Sequence, residues 1–187
     1  MSEIKIKKTT FQDLFVLERI AHRDSRGCFS RMFCRFSLKH IIDKKRICQI
    51  NHSITQKKGC VRGLHFQHYP NAETKIVTCL KGEVYDVAVD LREGSSTFLQ
   101  HHSIVLSEDN CLSVSIPEGF AHGFQTLSQN CELLYLHTAD YKPEAEGGIN
   151  ALDPKFELDW PLQFSDRSEK DRKIPILTDD FKGIRIP

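Results

Sequence analysis

The sequence predicts one mostly β domain with a few short helices, and three observations support this fold class. Short runs rich in β-branched and aromatic residues recur along the middle of the chain, separated by clusters of turn-forming residues. Stretches with helical periodicity are sparse. The chain has 187 residues, enough for one domain with a substantial core, and no linker divides it. We therefore expect residues 1–187 to form a single β-sandwich or barrel.

The clearest strands are predicted between residues 75 and 90, where Lys81-Gly82 marks the turn between two of them. In residues 84–91 one set of side chains alternates with a second set that includes Asp86 and Asp90, which is the two-residue period of a strand. Further strands are predicted at residues 103–106, 112–116 and 132–137. Helix is predicted only at residues 36–45 and 168–172.

The composition excludes several classes of protein. Hydrophobic residues make up 40% and charged residues 27% of the chain, and the formal net charge is +1 with acids and bases interspersed. A nucleic-acid or membrane-surface protein needs a concentrated basic face, so neither kind of partner is expected. No segment is apolar over the length of a membrane span, and the charged residues 1–8 lack the apolar stretch of a signal peptide.

The seven cysteines are scattered along the chain and form no Cys-x-x-Cys motif. Disulfide frameworks and zinc sites need closely spaced thiols, so neither is expected. Reduced thiols that serve as small apolar residues are typical of cytosolic proteins. The sequence therefore predicts a cytoplasmic protein.

Several polar residues interrupt the predicted apolar strands. His65 and His122 each lie in an apolar run, and Lys75 and Asp86 lie in the predicted hairpin. Buried polar groups are costly unless they are paired or used, so their accumulation predicts a lined cavity. A neutral imidazole oriented by a carboxylate is a general base near neutral pH, and a nearby lysine or tyrosine can stabilise or protonate the resulting anion. Such a cavity is equipped to remove a proton next to a carbonyl group.

The nine histidines raise the question of a metal site. Metal-binding barrels of the cupin type carry a Gly…His-x-His…Glu…Gly pattern followed by Pro-x-Gly-x-x-His, which this chain resembles only in part. The second histidine position holds Gln67, Glu73 is out of register, and only His65 and His122 remain. Two histidines without further nitrogen and carboxylate ligands are a poor site for a divalent metal. We therefore expect a metal-free barrel that needs no cofactor.

A set of segments spread over nearly the whole chain has the order and the residues of one known family. The segments are Asp24-Ser25-Arg26-Gly27-Cys28-Phe29, Gln49-Ile50-Asn51-His52-Ser53, Arg62-Gly63-Leu64-His65-Phe66-Gln67, residues 82–90, residues 116–124, Asp153-Pro154, Asp159-Trp160-Pro161 and Ser168-Glu169-Lys170-Asp171. They resemble the dTDP-4-dehydrorhamnose 3,5-epimerases of bacterial deoxysugar synthesis. The resemblance implies a metal-free cupin, that is, a double-stranded β-helix jelly roll. It also implies a nucleoside-diphosphate 4-keto-6-deoxy hexose as substrate, and a place in the synthesis of rhamnose-containing polysaccharides such as the O-antigen of lipopolysaccharide.

The resemblance also implies a role for each matching residue. His65 resembles the family's base, which removes the proton next to the C4 ketone, and Asp171 resembles its dyad partner. Lys75 would stabilise the enolate oxygen, and Tyr135 resembles the acid that returns a proton from the opposite face. Other positions resemble those that hold the sugar and the nucleotide diphosphate: Arg26, Gln49, Asn51, Arg62, His122, Tyr141, Glu146 and Lys170.

In this family, residues at the positions of Arg26 and Phe29 reach the neighbouring subunit's site, which implies a homodimer. Arg31 departs from the family pattern, because it places a guanidinium where a carboxylate is common near the nucleotide base.

The main interpretation is epimerisation at C3, C5 or both through an enolate. A single-centre 3-epimerase and a 3,4-ketoisomerase on the same scaffold are alternatives, because both reactions also begin with deprotonation. A sugar-nucleotide-binding protein that has lost turnover is a third. Tyr135 favours epimerisation, since inversion requires a proton donor opposite the base, and Gln67 argues against a metal-dependent cupin oxygenase.

Overall fold

The computed structural model describes residues 3–42 and 45–187, and its main elements are strands. The strands are β1 (Ile4–Lys8), β2 (Phe15–Arg19), β3 (His22–Asp24), β4 (Gly27–Phe29), β5 (Gln49–Thr55), β6 (Val61–Gln67), β7 (Lys75–Lys81), β8 (Glu83–Asp90), β9 (His101–Ser107), β10 (Leu112–Ile116), β11 (Phe120–Thr126), β12 (Cys131–His137) and β13 (Glu146–Gly148). The helices are α1 (Lys39–Ile42), α2 (Glu169–Arg172) and two 3-10 helices (Pro143–Ala145 and Pro154–Phe156). The predicted mostly β class is confirmed.

Two antiparallel sheets enclose the main core. The six-stranded sheet has the order β1-β2-β10-β7-β12-β5, and the five-stranded sheet has the order β13-β6-β11-β8-β9. Successive strands often lie in different sheets, which is the connectivity of a jelly roll. Strands β3 and β4 pair only with each other among the described strands, and they form a separate hairpin.

The strands predicted from the sequence are present at the expected places. Strands β7 and β8 flank the turn at Lys81-Gly82, and the side chains of β8 alternate between two hydrophobic clusters. The three further strand predictions fall within β9, β10 and β12.

The core between the sheets changes character along its strands. Toward one end it is apolar, because Val77 on β7, Leu133 on β12 and Phe124 on β11 are buried in one cluster. Toward the other end the same strands carry polar residues, with Lys75 two positions before Val77 and Tyr135 two positions after Leu133. Because residues two apart on a strand share a face, these polar side chains gather at one end of the core.

The helix predicted at residues 36–45 is shorter than expected. Helix α1 is a single turn, residues 35–38 form a turn instead, and residues 43 and 44 lie outside the described residues. Among the described residues of this segment, only Leu38 and Ile42 are buried, so little packing supports a longer helix, and isolated short helices are marginal. The predicted helix at residues 168–172 is present as α2 with Ser168 at its N-cap. No helix in the described part of the chain is long and apolar enough to cross a membrane.

Candidate active site

A cavity of about 810 Å³ opens at the polar end of the core, between the two sheets, a volume that suits a small-molecule ligand. Eight of the predicted site residues line it: Asn51, Arg62, His65, Lys75, His122, Tyr135, Lys170 and Asp171. The other lining residues were not predicted to belong to the site, and they include Ser53, Cys60, His137 and Arg167. The cavity thus joins residues that lie far apart in the sequence.

His65 and Asp171 form a hydrogen-bonded pair on one wall of the cavity. The Nε2 atom of His65 on β6 lies 2.7 Å from Oδ1 of Asp171 on α2. The imidazole is about one-third exposed to the cavity, whereas the carboxylate is buried. The second carboxylate oxygen accepts a 3.3 Å hydrogen bond from the backbone N–H of Gly63. The pair therefore has one buried anchoring member and one member that faces a ligand.

The anchoring of Asp171 depends on the short helix α2 and on the segment before it. The Ser168 hydroxyl accepts a 3.0 Å hydrogen bond from the Asp171 backbone N–H, which caps α2. The Arg167 guanidinium donates to the Asp171 carbonyl oxygen at 2.7 Å and to Asn150 at 3.2 Å. Asp171 is thus held in place through both its side chain and its backbone.

Gly63 allows the strand that carries His65 to lie close to its neighbour. Its φ is +110°, and a Cβ there would meet the carbonyl oxygen of His122 at 2.7 Å and Cα of Gly123 at 2.8 Å. The register of β6 against β11 shifts between His122 and Phe124, beside this contact. Only glycine fits such a close approach at positive φ, so the glycine fixes how β6 presents His65.

The electrostatics of the pair keep the Asp171 carboxylate ionised. Burial raises the pKa of Asp171, but hydrogen bonds and charge from His65, together with the Gly63 N–H and Ser168, outweigh it and hold the pKa below its ordinary value. The ionised carboxylate accepts the Nε2–H of His65. A neutral imidazole protonated at Nε2 carries its basic lone pair on Nδ1.

Tyr135 and Lys75 lie on the facing sheet, on β12 and β7 respectively. The Tyr135 hydroxyl lies 3.4 Å from the Ser53 hydroxyl. Burial raises the pKa of Tyr135 above its ordinary value and outweighs the hydrogen bond from Ser53. The phenol therefore keeps its proton at neutral pH. The Lys75 ammonium group is nearly buried and pairs with Glu73 at 3.0 Å.

A second histidine–carboxylate pair lies deeper in the cavity. Nε2 of His122 on β11 lies 2.8 Å from Oδ2 of Asp86 on β8, and both side chains are buried. His122 lies opposite His65 in the β11–β6 pairing, and its ring makes an edge contact with Tyr135 at 6.3 Å between centroids. His122 thus contacts a residue of each sheet. Asp86 pairs with His122, as expected for a polar residue within an apolar strand.

Among the predicted binding residues, Asn51, Arg62, His122 and Lys170 line the cavity, whereas Gln49, Tyr141 and Glu146 do not. Glu146 accepts hydrogen bonds from the Tyr141 hydroxyl at 2.6 Å and from Lys170, and the Gln49 side chain accepts one from the backbone N–H of Tyr141 at 3.1 Å. The Arg62 guanidinium is exposed and donates to the Ile54 carbonyl oxygen at 3.2 Å. Arg62 and Lys170 therefore place positive charge at the opening.

Arg26 and Phe29 do not line the cavity of their own chain. They lie on the β3–β4 hairpin, whose strand residues are all exposed. Arg26 pairs with Asp24 at 2.6 Å, and Phe29 is 67% exposed. An aromatic side chain so exposed beside a charged one is typical of a contact with another molecule.

Gln67 occupies the position at which metal-binding cupins have their second histidine. Its side chain bonds to backbone groups. Its side-chain amide donates to the carbonyl oxygens of Asn71 and Asp140 at 3.0 and 3.2 Å and accepts from the backbone of Lys142 at 2.7 Å. These bonds fix two loops to β6. Within the described ranges, no group of three or more His, Cys, Asp or Glu side chains is arranged to hold a metal ion.

Comparison with known sequences gives one family. The profile of dTDP-4-dehydrorhamnose 3,5-epimerases matches residues 8–179. The dTDP-4-dehydrorhamnose 3,5-epimerase of Salmonella typhimurium is 43% identical over 172 residues, which are 91% of this chain and 93% of that protein. The enzyme of the same name from Methanothermobacter thermautotrophicus is 39% identical over 175 residues, 92% of this chain and 94% of that one.

Comparison with solved structures gives the same fold. The 3,5-epimerase of Legionella pneumophila in complex with dTDP-4-keto-L-rhamnose has a TM-score of 0.91 and 38% identity, covering 99% of this chain and 100% of that chain. A 3'-monoepimerase of Streptomyces bikiniensis in complex with dTDP-quinovose has a TM-score of 0.85 and 26% identity, covering 91% and 86% of the two chains. The predicted cupin-type jelly roll is confirmed.

Proposed function

Because this chain belongs to the dTDP-4-dehydrorhamnose 3,5-epimerase family, we propose that it is an isomerase that epimerises a dTDP-linked 4-keto-6-deoxy hexose at C3 and C5. The substrate is of the dTDP-4-dehydro-6-deoxyglucose type and the product of the dTDP-4-dehydrorhamnose type. The C4 ketone acidifies the C–H bonds on both sides of it, so one enolate chemistry serves both carbons.

One observation supports this proposal more than any other. The His65–Asp171 pair lies on the wall formed by the five-stranded sheet, and Tyr135 lies on the wall formed by the six-stranded sheet. A sugar ring between these walls has a base on one side and a proton donor on the other. Inversion of a carbon centre needs this arrangement, because the new proton must arrive on the face opposite the one that was removed.

In the proposed reaction, Nδ1 of His65 takes the proton from C3 or C5. The electron pair of the C–H bond moves toward the ketone, which becomes an enolate with its negative charge on the C4 oxygen. The Lys75 ammonium group stabilises that charge. The Tyr135 hydroxyl then gives its proton to the opposite face, which forms the new C–H bond. Proton transfer through solvent from the imidazolium to the tyrosinate resets the site.

The roles of the remaining residues belong to the same proposal. Asp171 orients His65 and stabilises the imidazolium that forms. Arg62 and Lys170 hold the diphosphate at the opening, since guanidinium and ammonium groups are the usual phosphate ligands. Other residues position the sugar and the nucleotide: Gln49, Asn51, His122, Tyr141 and Glu146. No step requires a cofactor.

We further propose a homodimer in which each chain's β3–β4 hairpin completes its partner's site. Arg26 and Phe29 are exposed and lie outside the cavity of their own chain, so a partner is the surface that can use them. The edge strand β5 exposes Ile50 and Ile54, which is apolar surface available for the same interface.

The chain is proposed to work as one domain in the cytoplasm, where its free cysteines would stay reduced. There it would supply a deoxysugar for polysaccharides such as O-antigen.

The test is incubation with dTDP-4-keto-6-deoxyglucose in deuterated water, followed by NMR of the sugar. We expect deuterium at both C3 and C5 and formation of the inverted product, and we expect His65→Ala to abolish both. Because the two carbons are resolved separately, exchange at C3 alone would identify a single-centre enzyme. Absence of exchange in the wild-type protein would contradict the proposed activity.

A further inference from the structure

A buried ionic cluster outside the predicted catalytic set lies beside both Lys75 and Tyr135. Glu73 accepts from the Lys75 ammonium group at 3.0 Å with Oε1 and from Nδ1–H of His137 at 2.7 Å with Oε2. All three side chains are nearly buried, at 9–11% exposed. Glu73 therefore accepts one hydrogen bond with each carboxylate oxygen and bridges the ammonium group of Lys75 and the imidazole of His137.

The register of the sheet explains why these groups meet. His137 on β12 lies directly opposite Lys75 on β7, and Glu73 precedes β7 by two residues. Directly opposed residues on neighbouring strands have adjacent side chains. Burial raises the pKa of Glu73, but the hydrogen bond from His137 and the charge of Lys75 outweigh it and hold the pKa below its ordinary value. The carboxylate is therefore ionised and neutralises the lysine.

His137 also contacts the proposed acid. It lies two residues after Tyr135 on the same face of β12, and the two rings stack with centroids 6.0 Å apart and an angle of 19° between their planes. With Nδ1 protonated toward Glu73, its Nε2 accepts from the Asn51 side chain at 3.4 Å. The His137 imidazole thus contacts both Glu73, which pairs with Lys75, and Tyr135.

Stability alone is a poor explanation of this cluster. Burying an ion pair costs desolvation free energy, and well-packed apolar residues in the same place are often neutral or better. Further along the interior face of the same strands, Val77 and Leu133 are apolar and fully buried. The polar cluster occurs only where the interior opens into the cavity.

We propose that Glu73 and His137 are positioning residues, with Glu73 fixing the ammonium group of Lys75 and the ring of His137 fixing Tyr135. This inference rests on the proposed function, because it assigns the two side chains to the two halves of that reaction. Lys75 serves enolate formation, and Tyr135 serves protonation from the opposite face.

Two substitutions of His137 separate its two contacts. His137→Asn keeps an N–H near the position of Nδ1 but removes the ring that stacks on Tyr135. His137→Phe keeps a ring of similar shape but removes the donor to Glu73. Glu73→Gln, which is nearly isosteric, removes the charge that holds Lys75, and it gives an independent result if a His137 variant does not fold.

The experiment measures deuterium exchange and inversion separately in deuterated water. Exchange reports enolate formation, and the inverted fraction of the deuterated sugar reports delivery of the proton by the opposite wall. We expect His137→Asn to lower the inverted fraction about 10-fold with exchange unchanged. We expect His137→Phe and Glu73→Gln to lower exchange and inversion together by about 10-fold, because enolate formation precedes both.

The matched control is His102→Phe. His102 is a partly buried histidine on β9 that packs against Phe11 and lies outside the cavity, so its loss should leave exchange and inversion at wild-type values. Wild-type behaviour of Glu73→Gln and of the folded His137 variants would overturn the inference. So would equal loss of exchange and inversion in every variant together with a lowered melting temperature. Absence of exchange in the wild-type protein would instead reject the proposed function.

Discussion

Nε2 of His65 lies 2.7 Å from Oδ1 of Asp171, although the two residues are more than half of the chain apart in the sequence. The carboxylate belongs to a four-residue helix in the C-terminal segment, and the imidazole belongs to a strand of the barrel. Folding of that segment against β6 therefore completes the basic group of the proposed reaction.

Asp171→Asn should lower the exchange rate by roughly 10²- to 10⁴-fold. The amide oxygen can still accept the Nε2–H of His65, but a neutral group does not stabilise the imidazolium that forms when Nδ1 takes a proton. The measurement is the rate of deuterium incorporation at C3 and C5. A wild-type rate in the folded variant would mean that Asp171 has no part in deprotonation.

Tyr135→Phe should separate exchange from inversion. Deprotonation by His65 does not require the phenol, so deuterium should still enter the sugar with retention of configuration. The inverted product should fall by about 100-fold or more, because the opposite wall has lost its donor. Tyr85→Phe is the control, since Tyr85 packs against Trp160 in a different cluster and should leave both rates unchanged. Undiminished inversion in Tyr135→Phe would assign the acid to another group.

Mixed dimers test whether Arg26 acts in the partner's site. Arg26→Ala and His65→Ala chains should each form inactive or weakly active homodimers. When the two are co-expressed, a mixed dimer contains one site with both residues intact, so activity should recover to about a quarter of the wild-type value for random pairing. Failure to recover in a proven mixed dimer would place Arg26 outside the partner's site.

Asp90 supports a stability prediction away from the cavity. Its buried carboxylate accepts from the Arg92 guanidinium at 2.7 and 2.9 Å and from the hydroxyls of Ser95 and Thr97 at 2.6 Å. Burial raises the pKa of Asp90, but these bonds outweigh it and hold the pKa below the ordinary value. Asp90→Asn should lower the free energy of unfolding at neutral pH by about 3 kcal/mol, because the Arg92 guanidinium loses its partner.

The pH dependence of that difference follows from the sign of the shift. A carboxyl group whose pKa is depressed by folding contributes stability above its unfolded value of 3.8, and the contribution is lost as the pH falls through the lower folded value. The gap between wild type and Asp90→Asn in urea unfolding should therefore be constant at neutral pH and shrink below about pH 4. A gap that does not change on acidification would mean that charge does not carry the effect.

The alternation of side chains and the turn-forming residues in the sequence predicted the strands in the middle of the chain. The alternation in residues 84–91 identified β8. His65, Lys75 and Tyr135 lie on other strands, and each lines the cavity. The segment at residues 36–45 also had a local pattern, but its described residues form one helical turn, and among them only Leu38 and Ile42 are buried.

Other parts of the site depend on contacts that no local pattern encodes. Asp171 lies in a polar segment whose default is a solvated surface, and its burial follows from docking on β6. The contact of Glu73 with His137 requires the register of β12 against β7, which only the assembled sheet provides. The roles of these residues remain predictions that rest on their placement.

His65 and Tyr135 lie on different sheets, so the distance between them depends on how the core side chains pack between those sheets. Val77, Leu133 and Phe124 pack between those sheets and set how far apart the walls stand. A conservative exchange such as Leu133→Ile alters that spacing without touching a ligand. Repacking the interior is therefore expected to change the rates of exchange and inversion, because it changes the spacing between the proposed base and the proposed acid.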